Sequence, residues 1–129
     1  MAKGMITAPQ PEAVEAGAIA LKQGGNAVDA AITCALVQTV VDPQMCGIAG
    51  FGCLQLYMPK RNFHCYIDFH TRAPAAAREN MWTDLIVGEA RDGFGFFLKD
   101  RVNEVGYQAI MVPGNLKGYY EAITEYGSM

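Results

Sequence analysis

A helix stop, a helix start and a closely packed helix interior follow one another in Gly24-Gly25-Asn26-Ala27-Val28-Asp29-Ala30-Ala31. Upstream, Pro11 to Gln23 has the period of an amphipathic helix, with Val14, Gly17, Ala18 and Leu21 on one face. Pro11 suits the first helical position. Glu12 and Glu15 suit the positive end of the helix dipole, and Lys22 the negative end. Gly24 or Gly25 can adopt the left-handed conformation that closes a helix. Asn26 is then placed to cap the next helix, and Asp29 adds negative charge to its first turn, a weaker relative of the capping box.

That next helix, Ala27 to about Val41, is apolar on nearly every side, broken only by Asp29, Thr33, Gln38 and Thr39. Such a helix is expected to be buried. It is too short to span a bilayer, which takes roughly 20 apolar residues. Its alanines point to close packing against a sheet and other helices. Asp42-Pro43 ends it, because proline disfavours helical geometry in the residue before it.

The segments that follow change period. Gly47 to Gly52 is a glycine-rich turn with GxxGxG spacing. No Lys-Ser or Lys-Thr follows and the next element has strand character, so close backbone approach is preferred over phosphate binding. Phe51 to Met58 has the pattern of a mostly buried strand, and Pro59 to Asn62 that of a polar hairpin turn. Phe63 to His70 alternates: Phe63, Cys65, Ile67 and Phe69 face one way, His64, Tyr66, Asp68 and His70 the other. An antiparallel hairpin is expected. Its polar face makes a poor metal site, since His64 and Asp68 lie roughly 13 Å apart along a strand. A loop with a short helical turn is expected over Ala75 to Trp82. Phe94, Phe96 and Phe97 form either core or a surface that needs a partner. Gly106 to Val112 is expected to be a strand, Pro113-Gly114-Asn115 a turn, and Leu116 to Tyr126 a final helix.

Composition excludes several classes. With 10 basic and 13 acidic residues and a net charge of -3, the chain is not a nucleic-acid binder held by phosphate contacts. A hydrophobic content of 51% argues against disorder. Four cysteines without CxxC spacing argue against zinc. Cys34, Cys53 and Cys65 lie in apolar patterns and are expected to be reduced, buried thiols. No signal peptide is visible in Met1 to Met5. The chain is therefore expected in the cytoplasm, or downstream of a leader trimmed from it. The length suits residues 1–129 as a single partial domain.

In order along the chain, these segments resemble the γ-glutamyltranspeptidases and their acylase relatives, at the start of the large subunit. Family members carry a string close to Met5-Ile6-Thr7-Ala8 before the first helix. The Gly-Gly-Asn-Ala-Val-Asp-Ala-Ala string stands unchanged at residues 24–31. The glycine-rich turn is similar to Gly47 to Gly52. A strand running into Ala-Pro-Ala-Ala is similar to Ile67 to Ala76. A Val-Pro-Gly turn before a helix is similar to Val112-Pro113-Gly114 with Gly118-Tyr119.

The resemblance implies an α+β fold, the N-terminal part of an αββα N-terminal nucleophile hydrolase sandwich with mainly antiparallel sheets. It implies a precursor that cuts itself. The threonine newly exposed on the small subunit is the nucleophile, and its own α-amino group the base. Backbone amides stabilise the oxyanion. The γ-glutamyl group, typically from glutathione, passes to water or an amino acid. No cofactor and no metal are implied. The expected partners are the remainder of the precursor and a γ-glutamyl small molecule, without nucleic acid or membrane, and with a homo-oligomer open.

No threonine in these residues matches the nucleophile, so no catalytic residue is expected in this chain and the chain alone should be inactive. One substrate contact of the family does fall here. Many members read Asp-Phe-Arg-Glu-Met before Ala-Pro, and that arginine binds the substrate α-carboxylate, as a planar fork suits. The matching position is His70. Arg72 lies two residues on, and would reach the same side if the strand continues that far. Arg72 is thus either a carboxylate ligand or one half of a structural salt bridge, and His70 is a candidate substrate contact. The departure from arginine leaves room for an acylase of another carboxyacyl amide. A non-catalytic binding or regulatory domain that keeps only this half of the fold is the alternative from another class.

If the partner sheet is missing, the apolar hairpin face and the Phe94, Phe96 and Phe97 cluster should be exposed or covered by another copy. The 129 residues alone are then expected to oligomerise or to be poorly stable. A cooperatively unfolding monomer in analytical ultracentrifugation would contradict this.

Overall fold

The computed structural model describes residues 4–129, so Met1 to Lys3 of the opening segment lie outside the described residues. Helix α1 spans Pro11–Lys22 and α2 Ala27–Val41. Strands β1 (Gly52–Met58) and β2 (Phe63–Phe69) follow, then β3 (Ile86–Glu89), β4 (Phe96–Leu98) and α3 (Asn115–Tyr126). The chain divides into two compact units. The first holds the residues up to Thr71 together with Pro113–Met129, and the second holds Arg72–Val112.

In the first unit β1 and β2 pair antiparallel, from Gly52 opposite Phe69 to Met58 opposite Phe63. The expected alternation is present: Phe63, Cys65, Ile67 and Phe69 are buried or half-buried, while His64, Tyr66 and Asp68 are exposed. The turn between the strands is a single 3-10 turn, Pro59–Arg61, closed by Asn62 at φ 46°. Asparagine tolerates that left-handed geometry.

The apolar hairpin face is not exposed, contrary to the expectation above. Leu56 and Ile67 bury against Val28 and Ile32 of α2 and Ala122 of α3. Phe63 stacks on Tyr126 at 5.5 Å, and Phe69 meets the edge of Tyr119 at 5.6 Å. The chain's own helices cover this face, and the outer, polar face of the hairpin is the open one. One helix layer on one antiparallel sheet layer is half of an αββα arrangement.

Helix α1 packs on α2 through Ala13, Gly17 and Ala20. Of the expected face Gly17 is buried, whereas Val14, Ala18 and Leu21 are half-buried. Small side chains let the helix axes approach, and that decides which stripe faces inward.

Helix α2 departs from its sequence pattern in a way that composition could not foresee. Asp29, Gln38 and Thr39 are buried, whereas Leu36, Val41 and Val40 are exposed, Val40 at 76%. Each of these buried polar side chains makes at least one hydrogen bond. The Thr39 hydroxyl donates to the Leu36 carbonyl at 2.7 Å. The Gln38 amide donates to Gln10 Oε1, and Gln10 Nε2 in turn donates to Asp42 at 2.7 Å. Asp29 has the largest set of partners.

The start of α2 is a complete capping box rather than a weak relative of one. Asn26 Oδ1 accepts from the Val28 and Asp29 amides at 2.8 and 3.1 Å. Asp29 Oδ2 accepts from the Asn26 amide at 2.7 Å. Gly24, at φ 99°, turns the chain from α1 into this cap, a conformation costly for any residue with a Cβ.

The same two side chains hold the far end of α3. Asn26 Nδ2 donates to the Tyr126 carbonyl at 2.8 Å. The Ser128 hydroxyl donates to Asp29 at 2.6 Å, and the Ser128 amide at 3.0–3.1 Å. The chain leaving α3 is thus fastened to the first turn of α2.

Two further expectations are corrected. Gly106 to Val112 is not a strand. Gly106 stands at φ 92°, Tyr107–Ala109 form a 3-10 turn, and Val112 alone pairs, in a single bridge with Arg72. Cys53 is exposed on the outer hairpin face and Cys65 only half-buried, while Cys34 is buried. The sequence also concealed the β3–β4 hairpin of the second unit. Its strands are four and three residues long with a bulge between Ile86 and Gly88, too short for a period to register. Phe94 on its turn is 95% exposed. Among the described residues no helix is long and apolar enough to cross a membrane.

Asp29 is only 2% exposed. Burial pushes its carboxyl up, but hydrogen bonds from the Ser128 hydroxyl and the Asn26, Ser128 and Met129 amides bring it below its ordinary 3.8. A folded value below the unfolded one gives stability that is complete above the unfolded value and lost as pH falls through the folded value. Asp29→Asn is expected to cost about 2–3 kcal/mol at neutral pH. It should also flatten the loss of stability below about pH 4. Urea denaturation across pH 3–7 checks both.

Candidate functional site

The end of β2 nearest Phe69 is the place to which the sequence assigns a substrate contact. Three segments of the first unit meet there. The glycine-rich turn enters β1, β2 ends, and α3 begins.

Asn115, expected in a turn, is the first residue of α3 and is 4% exposed. Its Nδ2 donates to the Gly47 carbonyl at 2.9 Å. The Gly114 and Asn115 amides both donate to the Gly50 carbonyl, at 3.1 and 3.2 Å. The glycine-rich turn is therefore tied to the start of α3 by backbone and side chain together, and no phosphate role is needed to account for it. The sequence signal was Asn directly after Pro-Gly, a residue suited to hydrogen-bonding turn backbone. What it could not reveal was the partner, more than sixty residues upstream.

Helix α3 also presses on the end of β2. A Cβ at Gly114 would fall on the Phe69 carbonyl, and one at Gly118 on the Phe69 ring. Glycine at both positions lets the helix start lie directly against the strand end. Phe69 is thereby fixed from the inner side, and His70 follows it on the outer side.

His70 is exposed. Its backbone amide donates to Asp68 Oδ1 at 2.9 Å. Its ring lies against Phe51, with centroids 4.3 Å apart and planes tilted by 43°. Arg72 belongs to the second unit. Strand β2 stops at Phe69, so the strand continuation that would set Arg72 on the side of His70 is not present. The Arg72 backbone instead pairs with Val112, at 3.3 and 2.9 Å. Among the described residues the ion pair recorded is Arg101 with Glu104, so no structural salt bridge holds the Arg72 guanidinium.

The second unit contains an apolar cavity of about 600 Å³ between Pro74, Met81, Trp82, Tyr107 and Ile110. The Trp82 indole donates to Gln108 Oε1 at 3.2 Å. Among the described residues no cluster of three or more His, Cys, Asp or Glu is placed to hold a metal ion.

The solved structures that the chain matches are γ-glutamyltranspeptidases, which have the N-terminal nucleophile hydrolase fold. The family model described as Gamma-glutamyltranspeptidase matches residues 13–129, and the chain belongs to that family. The structure of "Gamma-glutamyltranspeptidase from Pseudomonas nitroreducens complexed with L-DON" superposes with a TM-score of 0.82 at 30% identity, over 100% of this chain and 35% of that one. The chain is 38% identical to the Acylase ACY 1 proenzyme of Pseudomonas sp. (strain V22), over 98% of its own length and 22% of the relative. It is also 38% identical to the Glutathione hydrolase proenzyme of Bacillus subtilis (strain 168), over 97% of its length and 20% of the relative. The chain thus spans about a fifth of the length of these relatives.

The contact between α3 and β2 yields a stability prediction. Gly114→Ala must displace strand backbone and is expected to cost about 1–3 kcal/mol. Gly88→Ala, where nothing lies within 4 Å of the added carbon, should stay within about 0.5 kcal/mol. Thermal melts of the two variants check the contrast.

Proposed function

We propose that this chain is the leading part of the large subunit of a self-processing amide hydrolase or acyltransferase acting on γ-glutamyl amides such as glutathione. The carrying observation is the family match over residues 13–129, joined to proenzymes as relatives. The nucleophile would come from the remainder of the precursor. In that reaction the threonine hydroxyl oxygen bonds to the amide carbon while its proton passes to the α-amino group. The amine leaves with that proton, and water or an amino acid then takes the acyl group from the ester. This chain would contribute scaffold and a contact for the acyl carboxylate. His70 is the leading candidate, since it stands at the matched position and its ring is exposed. Arg72 is the second, its guanidinium being unclaimed by any carboxylate among the described residues.

A second reading has its own support. The acylase and the glutathione hydrolase are equally similar to the chain, at 38%. Histidine in place of arginine removes the bidentate fork that favours a glutamyl α-carboxylate. An acylase of another carboxyacyl amide, such as a glutaryl amide, fits both facts.

The test is an assay of the full-length protein for self-cleavage and for release of a chromogenic amine from γ-glutamyl and glutaryl amides. Self-cleavage with turnover is expected. His70→Ala should raise KM about tenfold or more, as loss of a charge-assisted hydrogen bond does, with a smaller effect from Arg72→Ala. A protein that neither cleaves itself nor releases amine would instead support a non-catalytic domain. The preferred amide decides between the two enzyme readings.

A further inference from the structure

The His70 imidazole has no recorded hydrogen bond at either ring nitrogen among the described residues, since its one such contact is made by its backbone amide. A histidine that is to meet a carboxylate needs its ring plane fixed, because its N–H bonds lie in that plane. What touches the ring is Phe51, at 4.3 Å between centroids.

Phe51 is itself firmly placed. It follows Gly50, whose carbonyl takes the Gly114 and Asn115 amides at the start of α3. With His70 it flanks the last strand pair, Gly52 with Phe69. Yet its side chain is 57% exposed and is absent from the residues packed on the core. Its ring thus lies against the imidazole at the site rather than in the core.

From this we infer that Phe51 is a positioning residue for acyl-donor binding, holding the His70 ring so that an N–H meets the carboxylate of a carboxyacyl amide. The inference rests on the His70 reading above and goes beyond it by naming the group that orients the histidine. The ring contact leaves both imidazole nitrogens available, one to donate to the substrate carboxylate and the other to a second polar group of the substrate or to water.

The test uses Phe51→Leu, which keeps an apolar side chain but removes the ring, and Phe51→Trp, which restores one. Kinetics of the full-length protein on γ-glutamyl and glutaryl amides are compared with His70→Ala. Phe51→Leu is expected to raise KM about threefold to tenfold, the range of an aromatic pair, with kcat within about twofold. Phe51→Trp should return KM to within about twofold of the parent. Titration with glutarate, followed by isothermal calorimetry, should rank the proteins in the same order whether or not they turn over.

If Phe51→Leu binds and reacts like the parent while His70→Ala is impaired, the positioning role is overturned and the His70 reading stands. A loss confined to kcat, or one that tryptophan does not repair, also overturns it. If His70→Ala is itself without effect on KM and on glutarate binding, both readings fall.

Discussion

The buried Asp29 carboxylate is the joint on which the first unit depends. It closes the capping box of α2 through the Asn26 amide and receives the chain that leaves α3 through Ser128. One group therefore sets where α2 begins and where α3 ends. The hairpin lies on both helices, burying Leu56 and Ile67 against Val28, Ile32 and Ala122. A carboxylate so deeply buried is tolerable because its oxygens accept several N–H and O–H bonds, which offset the cost of desolvation. At the other end of α3, Gly114 and Gly118 press on Phe69, so the helix spans from the Asp29 joint to the site at His70.

What the sequence made legible follows the reach of each signal. Local signals were sufficient for Pro11, Asn26, Asp42-Pro43 and the alternation of Phe63 to Phe69. Each acts through backbone within a few residues of itself. The string at residues 24–31 marked the family and the cap, but its tie to Ser128 spans about a hundred residues and has no local signature. Helix α2 shows a related limit. When nearly every position is apolar, periodicity cannot say which side is inside. Three of its polar breaks, Asp29, Gln38 and Thr39, are buried beside Val28, Ala30, Ile32 and Cys34.

The candidate site was legible as a position and not as an environment. Alignment of Ile67 to Ala76 with the family string singled out His70 and Arg72. The end of β2 at Phe69 separates their circumstances, with His70 beside the Phe51 ring and Arg72 bridged to Val112 in the other unit. The apolar character of Phe51 in the sequence pointed to a strand interior. Its place before the first paired residue, opposite His70, turned it outward instead.

Histidine in place of arginine changes what the scaffold must supply. An arginine fork carries five N–H donors in a fixed plane, and bidentate pairing with a carboxylate aligns both partners at once. An imidazole offers at most one N–H in a given direction, and nothing in that single bond fixes the ring plane. The orientation that arginine achieves through its own pairing must then come from packing before the ligand arrives. A preformed ring contact lowers the ordering cost of binding. On that view the pair Phe51 and His70 is one functional unit, and the ties from α3 to Gly50 and Phe69 keep its two halves opposite each other.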